Sequence, residues 1–161
     1  MKVRFISDLH FGHENLATRL RGFSSAIEHD EYIIDQWNST VCNKKDITYI
    51  LGDITMEHSK FYYLLNRLNG IKHVILGNHD RRQDVPKLLE YVDSVSGMIN
   101  YKKEFILTHC PIHPSELEFR YKYNIHGHVH ANTISDNRYI NVCCEAIRYK
   151  PKTIEELLWK N

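Results

Sequence analysis

The sequence predicts an α/β fold, with two β-sheets packed as a sandwich and helices outside. Three patterns lead there. Five apolar runs (Val3 to Ile6, Ile47 to Leu51, Ile71 to Leu76, Phe105 to Leu107 and Tyr123 to Ile125) have strand length and stop at polar residues. Segments between the early runs carry apolar residues at helical spacing instead. Beyond residue 93 the pattern changes to short strands. Strand–helix alternation followed by several strands is what two sheets covered by helices produce.

After the first run, Ile33, Ile34, Trp37 and Val41 predict an amphipathic helix from about Glu28 to Val41. Phe61, Leu64, Leu65 and Leu68 predict a second, with Ser59 as its N-cap. Val85, Leu88, Leu89 and Val92 predict a third, capped by Asp84 with Pro86 in the first turn. Residues 93–107 read as a pair of strands meeting near Lys102-Lys103. Two short strands follow, around His126 and over Tyr139 to Cys144. Thr153-Ile154-Glu155-Glu156 opens a last short helix with a capping box. The 161 residues form one domain, 1–161, with no linker, repeat or low-complexity tract. A chain of that length buries roughly 70% of its unfolded surface.

The polar clusters that end the runs carry the chemistry. They are Asp8-Leu9-His10, Gly52-Asp53, Gly77-Asn78-His79-Asp80, Thr108-His109 and Gly127-His128-Val129-His130. Strands that end in carboxylates, imidazoles and a carboxamide deliver those groups to a sheet rim, where open α/β folds place their sites. Such donors suit divalent metals that activate phosphoryl transfer. Gly52 and Gly77 suit backbone that passes close to a site or takes a positive φ. Taken singly, Asp53 reads as a turn residue and His109 as a satisfied core histidine. Five clusters in a row read as a two-metal hydrolase.

These motifs, in this order, resemble the calcineurin-like metallophosphoesterases, whose pattern is D-x-H, GD, GNH(D/E), a lone His and GHxH. The resemblance runs from Asp8 to His130, with an Asn141-Val142 tail and Tyr149-Lys150-Pro151 after it, and is nearest to small uncapped bacterial and phage-type members. It implies the metallophosphoesterase sandwich fold. It also implies that Asp8, His10 and His130 hold one divalent ion, that Asn78, His109 and His128 hold another, and that Asp53 bridges them. A bridging carboxylate keeps two cations roughly 3.5–4 Å apart, close enough to share a hydroxide that attacks phosphorus in line. The family's catalytic acid corresponds to His79, with Asp80 orienting its ring.

The implied activity is hydrolysis of a phosphodiester, with His79 protonating the leaving group. The alternatives are a phosphomonoesterase acting on nucleotides or phosphorylated ends and a non-catalytic scaffold of the same fold. Mn²⁺ is the expected metal, with Fe²⁺, Zn²⁺ or Ni²⁺ as alternatives, because the motif histidines supply more imidazole than Mg²⁺ prefers. Protein Ser/Thr phosphatases carry an arginine soon after Gly-Asp. Here Ile54-Thr55-Met56-Glu57 follows, so that branch is disfavoured. His13 and Arg81 are the candidate substrate contacts, and the segments His13 to Ala26 and Pro111 to Lys122 are the candidate specificity loops.

A net charge of +1 rules out a global basic field for nucleic acid, leaving a phosphoester, possibly a nucleotide or nucleic-acid end, as the expected partner. No apolar run approaches membrane-spanning length and no protein partner is evident, so a cytoplasmic location is expected. Cys42, Cys110, Cys143 and Cys144 form no C-x-x-C pair and read as free thiols. Cys110, beside His109 on a strand end, is expected to face away from the metals. His126 is expected to point opposite to the ligand that follows. His29, His58, His73 and His113 read as surface residues.

Overall fold

The computed structural model describes residues 1–159, and all five apolar runs become strands. The first sheet is β1 (Val3–Ile6), β2 (Ile47–Ile50), β3 (Ile71–Ile75) and β4 (Ser94–Ser96), in that order and parallel throughout. The second is β5 (Ile99–Tyr101), β6 (Phe105–Leu107), β7 (Tyr123–His126) and β8 (Tyr139–Asn141). There β5 runs antiparallel to β6, while β6, β7 and β8 are parallel. A parallel bridge between Ser7 and Cys143, just past the ends of β1 and β8, joins the sheets. Every strand but β5 therefore points its carboxyl end at one rim.

Residues from both sheets fill the core. Phe5, Ile50 and Val74 come from the first, Phe105, Leu107 and Ile125 from the second, and Ile33, Ile34 and Trp37 from helix α1 (Ala26–Thr40). Helix α1 starts ahead of the expected Glu28 because Ser25 caps it, its hydroxyl accepting the Glu28 N–H at 3.1 Å. Asp30 and His29 are buried on the same helix, which corrects the surface reading of His29.

Two predicted helices take other forms. His58–Arg67 is a 3₁₀ helix whose N-cap position is Glu57, so Ser59 lies inside it and does not cap it. Tyr62, Leu65 and Leu68 are buried at intervals of three, the spacing that a 3₁₀ helix lines up on one face. The third stripe yields only α2 (Val85–Leu88), preceded by a 3₁₀ turn over Arg82–Asp84. Asp84 does not cap it, because its carboxylate is held by Arg81.

Between 93 and 107 there are three strands, not two. β4 extends the first sheet, and β5 and β6 form the expected hairpin, joined by the three residues 102–104 with Lys102 and Lys103 both at positive φ (53° and 62°). A short α3 (Glu116–Phe119) sits in the Pro111 to Lys122 segment. The predicted capping box opens α4 (Ile154–Leu158), with Thr153 and Glu156 each bonding the other's backbone N–H.

Candidate metal centre

The carboxyl ends of β1, β2, β3, β6 and β7 bring seven motif side chains together at the shared rim. On one side, the Nε2 atoms of His10 and His130 lie 3.6 and 3.8 Å from Asp8 Oδ1. On the other, Asn78 Oδ1 lies 2.9 Å from His109 Nε2 and 3.0 Å from His128 Nδ1. Asp53 sits between the two groups, with Oδ2 3.7 Å from His10 Nε2 and 3.3 Å from His109 Nε2.

Buried polar atoms without partners test whether these residues suit a cation. Asp8 Oδ1 and both ring nitrogens of His10 are buried and make no hydrogen bond. Each such atom costs about 1–3 kcal/mol if left alone. A divalent ion satisfies a carboxylate oxygen and imidazole nitrogens together, so the donor set fits one. Bond networks fix which nitrogens face inward. His109 Nδ1–H donates to the Leu51 carbonyl at 2.7 Å and His130 Nδ1–H to Glu145 Oε1 at 3.1 Å, which leaves both Nε2 atoms free as donors.

The electrostatics match. Burial alone would raise the Asp8 pKa, but the His10 ring beside it and bonds from the Ser7 hydroxyl and the His128 N–H hold it well below the usual range. Asp53 is likewise lowered, against its burial, chiefly by His109. His10 is lowered by burial, which keeps its ring neutral and able to bind a metal. Burial would also lower His109, but the Asp53 carboxylate outweighs it and raises the pKa.

The local backbone is strained to achieve this. Asp8, His10, Asp53, His128 and His130 all lie in the left-handed region, with φ of 61°, 50°, 54°, 71° and 52°. Gly52 also has positive φ (94°), and a Cβ there would stand 2.6 Å from Gly77 N. At Gly127 a Cβ would collide with the Ser7 hydroxyl and Asp8 Oδ2. Only glycine lets the two sheets approach so closely there.

Several expectations need correction. Asp80 does not orient His79. Its carboxylate accepts the N–H groups of Asp53, Ile54 and Gly77 at 2.7, 3.1 and 2.8 Å, tying two motif loops together. Arg81 is not free to meet substrate, because it makes a two-pronged ion pair with Asp84 at 2.7 and 3.0 Å. Cys110 does not face away from the centre, since a donor atom of each of Cys110, His109 and His128 falls within 4.8 Å of the others. The chain leaves β6 as an irregular segment, so strand alternation fails at Cys110. The outer part of the Pro111 to Lys122 segment lines a cavity of about 670 Å³ with Lys103, Asn137 and Leu158, and none of the seven donors lines it.

His79 lies at the rim with its N–H on Asp53 Oδ1 at 3.0 Å and its ring 5.9 Å from that of His10. The His13 ring lies 6.1 Å from that of His10. His126 is buried, and its Nδ1 lies 2.9 Å from the Gly127 carbonyl. Sequence reasoning missed the layer behind Asp8 and His130. Ser7 Oγ and Cys143 Sγ donate to Asp8 Oδ2 at 2.6 and 3.2 Å, and the half-buried Glu145, paired with the buried Arg21 side chain, backs His130. The pairing of Ser7 with Cys143 would have exposed this layer, but that contact is remote in sequence.

The chain resembles known proteins in sequence and in fold. Residues 1–161 match the model of the calcineurin-like phosphoesterase family. The chain is 36% identical to uncharacterized protein MJ1445 of Methanocaldococcus jannaschii, covering 96% of this chain and 88% of that protein. It is 30% identical to the gene 66 protein of Mycobacterium phage D29, over 89% of this chain and 88% of the phage protein. A crystal structure of AQ665, a protein of unknown function from Aquifex aeolicus, superposes with a TM-score of 0.75 at 27% identity, covering 99% of this chain and 98% of that one.

Proposed function

The chain belongs to the calcineurin-like phosphoesterase family, and we propose that it is a single-domain, dinuclear metal-dependent phosphodiesterase. The observation that carries this reading is the position of Asp53, whose Oδ2 lies within 3.7 Å of His10 Nε2 and 3.3 Å of His109 Nε2. One carboxylate then serves both donor groups: Asp8, His10 and His130 on one side, and Asn78, His109 and His128 on the other. When bound there, two divalent ions supply Lewis acidity and a nucleophilic water at neutral pH. Mn²⁺ is the proposed native ion, with Fe²⁺, Zn²⁺ and Ni²⁺ as alternatives, since the donors are rich in imidazole.

The residues of the chain supply the rest. Asp53, held by the His79 N–H, keeps the two donor groups in register. Asp80 fixes the loops that carry Asp53 and Asn78. His79 stands beside His10 with its ring at the rim, where it donates a proton to the departing oxygen.

A diester is the proposed substrate class, a nucleotide or nucleic-acid end being the natural source of one. A monoester dianion needs cations around it, and this centre contributes two carboxylates while Arg81 is taken up by Asp84. Burial lowers the His13 pKa, so that residue offers a hydrogen bond and not a charge at neutral pH. Asn78 and His128 are exposed at the rim, which leaves room for two ester substituents. A cytosolic location fits the free thiols, and no helix among the described residues is long and apolar enough to cross a membrane.

The test is the ratio of kcat/KM on bis- and mono-nitrophenyl phosphate at saturating Mn²⁺. Preference for the diester is expected. A clear preference for the monoester selects the phosphomonoesterase alternative, and no turnover of either selects the scaffold.

A further inference from the structure

The segment from His13 to Ala26 reads as a substrate loop, yet it delivers a fully buried arginine to the back of the centre. Arg21 Nε donates to Glu145 Oε1 at 2.8 Å. Its Nη2 donates to the Asp8 carbonyl at 2.6 Å, and its Nη1 to the Leu9 carbonyl at 3.2 Å and to His29 Nε2 at 2.8 Å. Because His29 Nε2 accepts, its proton sits on Nδ1 and goes to Asp30 Oδ1 at 2.8 Å. Asp30 in turn accepts the Gly12 N–H at 2.9 Å. The Tyr149 ring closes the other side, 5.6 Å from the guanidinium carbon.

We infer that Arg21 and Glu145 are positioning residues that aim His130 and the Asp8–His10 turn at a metal ion, an inference that rests on the metal-centre reading above. Glu145 takes the His130 Nδ1–H, which sets the tautomer and turns Nε2 toward Asp8. A carboxylate in that place also makes the ligating nitrogen more basic. Arg21 takes the two carbonyls that flank the left-handed turn, so the peptides of Asp8 and Leu9 keep the orientation that a positive φ at Asp8 and His10 demands. One guanidinium thus connects donors from the end of β1 to a donor after β7. Among the described residues the second donor group, Asn78, His109 and His128, makes no hydrogen bond or ion pair with Arg21 or Glu145.

Mn²⁺ titration into metal-free protein, followed by electron paramagnetic resonance, tests the inference. Wild type takes up two ions per chain if the centre is as read. Glu145→Leu is expected to weaken one of the two affinities by about 10- to 100-fold and to leave the other unchanged. Glu145→Gln keeps an oxygen for the His130 N–H and is expected to fall between. A buried Arg21 without its partner threatens folding, so Arg21→Met combined with Glu145→Leu removes both charges together. That double variant is expected to show the same loss at one position. If it folds with both affinities at their wild-type values, the pair is only a structural salt bridge and the inference falls. If wild type takes up no Mn²⁺, the metal-centre reading itself fails and takes this inference with it.

Discussion

The two halves of the centre are built differently. Around Asp8 and His10 the side chains are 0% and 1% exposed, and Ser7, Cys143, Arg21 and Glu145 stand behind Asp8 and His130. In the other half only His109 is buried and anchored, by the Leu51 carbonyl. Asn78 and His128 are exposed, and at the open rim Asn78 Oδ1 lies 2.9 Å from His109 Nε2 and 3.0 Å from His128 Nδ1. The first half is enclosed by packing, and its orphaned Asp8 and His10 atoms call for a cation. The second stands open to solvent. A site at a sheet rim can thus join an enclosed position to an open one.

The harshest test of that contrast removes what the halves share. Asp53→Ala is expected to abolish activity and release or weaken both ions, read by metal content and turnover, because no neighbouring carboxylate replaces it. Near-native activity with two bound ions would overturn the assignment. Next comes His79→Ala, which costs about 10²–10⁴ in rate on esters with poor leaving groups. On a nitrophenyl ester, whose leaving group barely needs a proton, the loss is expected to be much smaller. Equal losses would make His79 a phosphate or metal contact instead.

The contrast itself is sharpened by paired substitutions. Asp8→Ala strands the Cys143 thiol and the His128 N–H, while Ser7 keeps the Leu51 carbonyl, at about 1–3 kcal/mol for a buried group left unpaired, so the metal-free protein should melt clearly lower. His128→Ala, at an exposed position, should move metal-free stability by no more than about 0.5 kcal/mol while still weakening metal uptake. Equal melting shifts in calorimetry would erase the distinction between the halves. The smallest effect belongs to Arg81→Ala. Its guanidinium is engaged with Asp84, so KM on the diester should barely change. A large rise in KM would mean that Arg81 leaves Asp84 to hold substrate.

Legibility in the sequence follows the same divide. Asp8, Asp53, Asn78, His109 and His128 could be named because each follows its own apolar run, and a run's end is a local signal. Arg21 and Glu145 could not, since they meet across 124 residues and neither lies in a motif. Asp80 was placed in the right cluster with the wrong partner, because a carboxylate that bonds backbone N–H groups looks the same in sequence as one that bonds a ring. The hairpin turn at Lys102 and Lys103 and the Thr153 capping box were readable from neighbouring residues alone. The 3₁₀ helix at His58–Arg67 was not, as an apolar stripe at three- and four-residue spacing fits either helix type. His29 looked like a surface residue because nothing nearby predicts the arginine that buries it.

The bridge between Ser7 and Cys143 also sets the order in which this molecule can be made. During synthesis Asp8 and His10 leave the ribosome well before His128, His130 and Cys143. The first sheet has all its strands by Ser96, yet its rim gains the second sheet only when β8 has emerged and paired. Contacts that span most of a chain form late, after the local ones. A nascent chain therefore displays its early carboxylates and imidazoles to water as an unfinished set. The centre is completed only once Cys143 has emerged and paired with Ser7.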